Sequence, residues 1–233
     1  MDMTRRTIAH EHLDAQHHDT AQLQRTLDHL VGVNRWLGGT RVILKHLAAC
    51  LPQRGDACVL DVGTGASDIP QAIARWAMTQ RRRITVCGVD RQRQIAAIAA
   101  VRSAGDAAVR IAVADGLELP FPTGAFDVAI SSMTLHHLPD DAACRFVAEL
   151  SRVSRRAVIV NDLERHRINY LGARLLAATA WRRDPYTRHD GPISVLRSFN
   201  SKELLRVGED AGLEDVRVHR HFPFRLALVG RPA

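Results

Sequence analysis

The chain has 233 residues, 46% of them hydrophobic, and a formal net charge of +7 from 32 Lys and Arg against 25 Asp and Glu. That length and composition bury a core without disulfides or structural metal, so one domain with additions is expected. The excess charge sits in short arginine groups such as Arg81 to Arg83 and Arg155-Arg156, with few interleaved aromatics and lysine only at Lys45 and Lys202, which argues against nucleic acid as a partner.

The opening stretch "MDMTRRTIAHEHLDAQHHD" lacks the apolar segment of a signal peptide, and no later run approaches the roughly 20 apolar residues of a membrane span. Its histidines His10, His12, His17 and His18 read as a solvated helix face rather than a metal site, since no cysteine or carboxylate spacing of a known site accompanies them. Residues 10 to 51 read as helical, with Leu23, Leu27 and Leu30 and then Val42, Leu44 and Leu47 as apolar positions, and Gly38-Gly39 breaks the pattern. This gives an N-terminal helical extension, 1–51, ahead of a main domain, 52–233.

Between about 56 and 163, strand-like and helix-like segments alternate, the pattern of a parallel sheet covered on both faces. The strands are "ACVLDVG", "ITVCGVD", "VRIAVAD", "FDVAISS" and "RAVIVND". Ile69, Ile73, Trp76 and Ala77 mark one helix face and Phe146, Leu150 and Val153 another; Pro70 suits a first helical turn capped by Ser67 or Asp68. Cys58 and Cys87 fall in the strand runs, and no CxxC pairs them with Cys50 or Cys144, so reduced thiols and a cytoplasmic location are expected. An insert, 164–199, opens with the helix "INYLGARLLAATAW" and closes with a polar loop, "DPYTRHDGPISVLRSF". A helix near "SKELLRVGEDAG" and two strands, "LEDVRVHRHFPF" and "RLALVGR", then form a terminal hairpin. The fold class is therefore α/β: a Rossmann-like, doubly wound, mostly parallel seven-stranded sheet with an antiparallel C-terminal hairpin.

In such sheets ligands bind beyond the carboxyl ends of the strands, where Gly63 and Gly65, Asp90, Asp115 and Ser131-Ser132 fall. Asp90 is placed to accept from a ribose diol, which holds for NAD as well. The charge differs, however. Where GxGxxG carries its third glycine, this chain has Asp68, and Asp61 precedes the turn; both repel a pyrophosphate. A ligand with adenosine at one end and a cationic amino acid at the other fits better.

That description fits S-adenosyl-L-methionine, and the sequence resembles the class I SAM-dependent methyltransferases. "LDVGTGASD" is similar to their first motif, "VCGVD" to the second, "ADGLELPF" to the adenine-binding segment, and "FDVAISSMTLHHLPD" to the fourth-strand motif of the small-molecule branch related to ubiquinone and menaquinone methyltransferases. The resemblance implies cofactor contacts at Asp61, Gly63, Gly65, Asp68, Asp90, Arg91, Asp115, Gly116, Leu117 and Ser131. Asp68 and Asp115 have plainer readings as a helix cap and a turn, and Ser67 departs from the family's third glycine. The insert is expected to lid the substrate, with Tyr170, Trp181, Tyr186 and Arg188 beside the acceptor together with Met133 and His137. Asn34-Arg35-Trp36, odd for a plain helix end, either closes over the cofactor's methionine end or serves packing through Trp36.

Transfer to a hydroxyl needs a base, and histidine suits neutral pH. His189, oriented by Asp190, is the first candidate, and His136 and His137 are the others. "SSMT" differs from the "NPPY" type that resembles adenine or amide methylation, and no acidic residue stands there as in the magnesium-dependent catechol group, so no metal is expected. The expected activity is O-methylation of an aromatic or polyketide/quinone-like small molecule by a monomer or homodimer. C- or N-methylation, an NAD-dependent oxidoreductase and a non-catalytic partner protein are the alternatives.

Overall fold

The computed structural model describes residues 3–7, 9–52 and 55–233. Two helices, α1 (Thr20–Trp36) and α2 (Gly39–Cys50), lead into β1 (Ala57–Val62), α3 (Asp68–Thr79), β2 (Ile84–Asp90), α4 (Arg93–Ser103), β3 (Val109–Val113), β4 (Phe126–Ser132), α5 (Asp140–Val153) and β5 (Ser154–Leu163). After these come α6 (Arg167–Ala178), α7 (Pro185–Arg197), α8 (Ser201–Asp210), β6 (Glu214–His221) and β7 (Arg225–Arg231). The seven strands form one sheet in the order β3-β2-β1-β4-β5-β7-β6, with β1 to β5 parallel and β7 antiparallel to both of its neighbours.

The central strands lack the apolar–polar alternation of a half-exposed sheet because both of their faces are buried. Val59, Val128, Ile130 and Ile159 meet Ile43 and Leu47 of α2 and Ile69 and Ile73 of α3 on one side. Leu60, Val62, Ala129, Val158 and Val160 meet Phe146 and Leu150 of α5 and Leu204 of α8 on the other. Successive residues of one strand thus feed opposite cores, as the two-residue side-chain period requires.

The structure departs from the sequence reading at both additions. Helix does not begin near residue 10: His12–Asp14 is a single 3-10 turn, and α1 starts at Thr20, where the Asp19 carboxylate accepts from Gln22 N at 2.8 Å. The supposed polar loop of the insert is α7. Its start is specified by Asp184, which accepts from the amides of Tyr186 and Thr187, and by Pro185 in the first turn, a position that needs no amide donor. Gly191-Pro192 reads as a helix breaker, but Asp190, Ser194 and Arg197 on the same helix are buried and bonded, and tertiary contacts override the local signal.

Ile159 is 0% exposed at the centre of β5, whereas Met78 on α3 is 77% exposed. Replacing Ile159 with Ala is expected to lower stability by about 2–5 kcal/mol through lost burial and a residual cavity. Met78→Ala should stay within about 0.5 kcal/mol, and urea unfolding of both variants measures the contrast.

Candidate active site

The turn after β1 is fixed by backbone bonding: Gly63 N and Thr64 N both donate to Val89 O at 2.9 Å, which draws the chain back over β2. Gly63 has φ +76° and would set a Cβ 2.2 Å from Thr134 Oγ1, so its glycine is obligatory on two counts. Gly65 also has positive φ, yet faces open space. That space is a cavity of about 160 Å³ lined by Asp61, Gly63, Gly65, Asp68, Asp90, Arg91, Asp115, Gly116 and Leu117.

Ser131 is not in this cavity. It is fully buried, and its hydroxyl donates to Val62 O at 2.7 Å, joining β4 to β1; its neighbour Ser132 reaches the cavity instead. Ser67 occupies the cap position of α3 with a left-handed φ of 61°, but its buried hydroxyl pairs with Ser103 Oγ at 2.7 Å and neither caps the helix nor reaches the cavity.

Five carboxylates line the cavity, those of Asp14, Asp61, Asp68, Asp90 and Asp115. Asp90 Oδ2 accepts from Gly65 N at 3.2 Å and Oδ1 from Gln92 N at 3.0 Å, which leaves acceptor capacity on both oxygens. Asp68, the first residue of α3, accepts from Asn34 Nδ2 at 3.1 Å, and burial raises its carboxyl against that bond. Asp61 accepts from Thr64 Oγ1 at 2.8 Å through one oxygen, while Oδ1 is buried without a partner. Burial pushes Asp61 up to about 7 against the Thr64 hydrogen bond, with the charges of Asp68 and Asp90 adding to the rise. Asp115 makes the turn its plainer reading expected, accepting from Leu117 N at 2.9 Å, and also lines the cavity.

A second cavity, about 280 Å³ and mostly apolar, lies between α1, α6, α7 and the β6–β7 turn. Leu13, Leu30, Met133 and His137 belong to both linings, so the two spaces meet there. At this junction His137 Nδ1 pairs with Asp14 Oδ1 at 2.7 Å, and the fully buried His136 pairs through Nδ1 with Asp162 Oδ1 at 2.7 Å. Both Nε2 atoms point toward Glu11, each 3.9 Å from one of its oxygens. Burial raises the Asp14 carboxyl, but the hydrogen bonds and charges of His137 and Arg197 outweigh it and hold Asp14 below the usual carboxylate range. Arg197 closes the group, donating to Asp14 and to the carbonyls of His136 and His137.

Glu11, Asp14, Asp162 and Arg197 were absent from the sequence reading, whereas Asn34 was singled out there with Arg35 and Trp36. Asp162 ends β5 and the strand-end rule reaches it; the others carry no local signal. His189 is displaced in the opposite sense. It does pair with Asp190, at 2.8 Å, but its side chain is 44% exposed and lines neither cavity, its ring packing on His12 outside. Asp190 instead accepts from the backbone amides of His12 and Leu13, pinning the N-terminal segment across the site. His10, His12 and His17 are exposed as expected, but ahead of α1 rather than on a helix face, and His18 is buried against Gln92, which also donates to Leu13 O. Of the expected acceptor residues, Met133, His137 and Trp181 line the larger cavity, while Trp36, Tyr170, Tyr186 and Arg188 do not. Trp36 is 75% exposed, and Asn34, two residues earlier, lines the smaller cavity together with Leu27 and Leu30 of α1.

Residues 59–157 match the family model described as a methyltransferase domain. The chain is 35% identical over 133 residues to a probable chloroplastic tocopherol O-methyltransferase of Oryza sativa subsp. japonica, covering 54% of this chain and 36% of the relative. It is 30% identical over 132 residues to ajmaline N-methyltransferase of Rauvolfia serpentina, covering 53% and 44%. The chain thus spans less than half the length of these curated relatives. A SAM-dependent methyltransferase from Aquifex aeolicus superimposes with a TM-score of 0.66 over 93% of this chain and 100% of that one, at 19% identity.

Burial raises the Glu11 carboxyl to about 7, against the lowering influence of His137 and Arg197. A carboxyl raised in the folded state holds its proton more tightly there than in the unfolded chain. Its contribution to stability is therefore intact at low pH and is lost as pH rises from the ordinary value of 4.5 to about 7. Glu11→Gln should match the wild type near pH 5 and exceed it by about 1–3 kcal/mol near pH 8, as read from denaturant midpoints at the two values.

Proposed function

Since residues 59–157 belong to the methyltransferase domain family and the chain has the fold of the class I SAM-dependent methyltransferases, we propose that the protein methylates the hydroxyl of a small, largely apolar acceptor. The observation that carries this reading is the meeting of a carboxylate-lined cavity and an apolar one at Met133 and His137. S-adenosyl-L-methionine supplies an electrophilic methyl group on a sulfonium centre. The residues present fit it: the partnerless Asp61 Oδ1 and Asn34 Oδ1 are buried acceptors suited to a cationic amino-acid end, and Asp90 retains lone pairs for a diol. Gly116, Leu117 and Asp115 are left for the adenine end.

His137 is the base in this reading. Its bond to Asp14 holds a proton on Nδ1 and leaves the Nε2 lone pair for the acceptor's hydroxyl proton, at the one histidine both cavities share. His136 is bonded in the same way to Asp162 but lines only the larger cavity, which makes it a positioning residue that packs the 3-10 turn Leu135–His137 against β5. Positioning supplies the rest of the rate, since in-line displacement requires the nucleophile about 3–3.5 Å from the methyl carbon. The apolar lining excludes water from that encounter.

Incubation with methyl-labelled SAM and a panel of phenols and aliphatic alcohols bearing apolar bodies is expected to label at least one acceptor; failure to bind SAM or its demethylated product would overturn the reading. With that acceptor, His137→Gln should lower turnover about 100- to 10,000-fold with little change in cofactor affinity, whereas His189→Gln should remain near wild type. Cofactor affinity should also rise with pH through about 7 as Asp61 ionises, with proton release on binding below that pH. Titration calorimetry in buffers of different ionisation enthalpy measures both, and Asp61→Asn should abolish the dependence.

A further inference from the structure

Eight large hydrophobic side chains are exposed among the described residues, and five of them, Trp36, Ile168, Leu171, Leu175 and Phe222, gather at the mouth of the larger cavity. Each of the three elements that supply them also supplies the cavity wall. Trp36 precedes the lining residue Leu37, Phe222 precedes the lining pair Pro223-Phe224, and Ile168 itself lines the wall. These elements touch: Glu164 N donates to Phe224 O at 2.8 Å, His166 stacks on Phe224, and a Cβ on Gly38 would lie 3.3 Å from Phe222 O.

Helix α6 shows the arrangement most clearly. Ile168, Leu171 and Leu175 form a stripe 60–65% exposed; the adjoining face, with Gly172, Ala173 and Leu176, turns into the cavity; and Arg167 and Arg174, seven residues apart, border the stripe on its other side. From Arg165 to Arg183 the chain carries five arginines and no carboxylate. Four of them, Arg167, Arg174, Arg182 and Arg183, are exposed, as is Arg35, whose guanidinium lies 5.1 Å from the Trp36 ring.

We propose that this face docks on an anionic lipid surface, with the apolar stripe in the acyl boundary and the arginines at the headgroups. An apolar stripe edged by arginine is the pattern of a helix lying in a membrane interface. A second copy of the chain is disfavoured as the occupant, because a face with arginines and no acid in its central helix repels itself. Docked in this way the cavity opens toward lipid, so its ligand is a molecule that partitions into bilayers and enters without crossing water. That second step rests on the reading of this cavity as the acceptor site; the docking itself does not.

Co-sedimentation of the 233-residue chain with vesicles, without cofactor, tests the docking. Wild type is expected to bind phosphatidylcholine–phosphatidylglycerol vesicles at least about 10-fold more tightly than pure phosphatidylcholine, with the difference shrinking as salt screens the arginines. Leu171→Glu with Leu175→Glu, at exposed positions that line no cavity, should reduce binding about 10-fold or more while circular dichroism and affinity for the demethylated cofactor are kept. Equal affinity for neutral and anionic vesicles, no binding at low salt, or full binding by the double variant would each overturn the proposal. So would a wild-type dimer that ignores vesicles and is split by Leu171→Glu, which would assign the face to a second copy. Vesicle binding by a protein that transfers no methyl group would leave the docking standing and remove the acceptor reading alone.

Discussion

Parallel strand pairing is the constraint from which the site follows. Val62 stands level with Val89 of β2 and Ser131 of β4, and Ser131 with Val160 of β5, so the chain leaves all four strands at one edge within a residue or two. Gly63, Asp90, Ser132 and Asn161 are consequently neighbours although nearly a hundred positions separate the first from the last. A slip of one residue in any pair would turn that strand's side chains to the opposite face, and the two buried cores on either side of the sheet forbid it. The energy that holds the functional groups together is thus apolar and lies beneath the site.

Charge sets the second layer. Residues 11 to 14 cross the strand ends and are held there by groups from distant parts of the fold: Asp190 takes two of their amides, Arg197 and His137 take Asp14, and Ser194 donates to Glu11. A buried carboxylate costs several kcal/mol unless it is paired. Asp14 is paired and stays ionised well into acid, whereas Glu11 and Asp61 are incompletely paired and titrate near neutrality. The site therefore has fixed charges that hold its walls and labile ones that face its ligands.

The same distinction explains what the sequence revealed. The strand boundaries, the glycine turn, Asp90 and the terminal hairpin were legible because each is written in a local pattern: runs of Val and Ile, a strand-end carboxylate, paired alternating segments. Glu11 and Asp14 sit in a polar, aperiodic stretch, and their roles come from partners such as His137 and Arg197, far away in the chain, which no local spacing encodes. His189 attracted attention by lying beside Asp190 in the chain, but adjacent residues on a helix point about 100° apart, and the one that faces inward is Asp190. α7 was obscured by Gly191-Pro192, whose local cost is outweighed only when the rest of the protein is present.

The identity of the cofactor turns on one helix start. A helix N-terminus ordinarily offers free amides and a partial positive charge to a phosphate, and dinucleotide sites depend on that offer. Here the first residue of that helix, Asp68, carries its own carboxylate, which takes Asn34 and stands in the cavity. A diphosphate would have to displace an anion that is covalently part of the chain and approach Asp61 and Asp90 as it did so. A cation meets the reverse situation: carboxylates already desolvated, one oxygen of Asp61 without a partner, and a proton on Asp61 that neutral pH readily gives up. In this chain the turn that usually recognises phosphate has been closed to it from within, and the space left over has the charge of a site for a sulfonium and an ammonium.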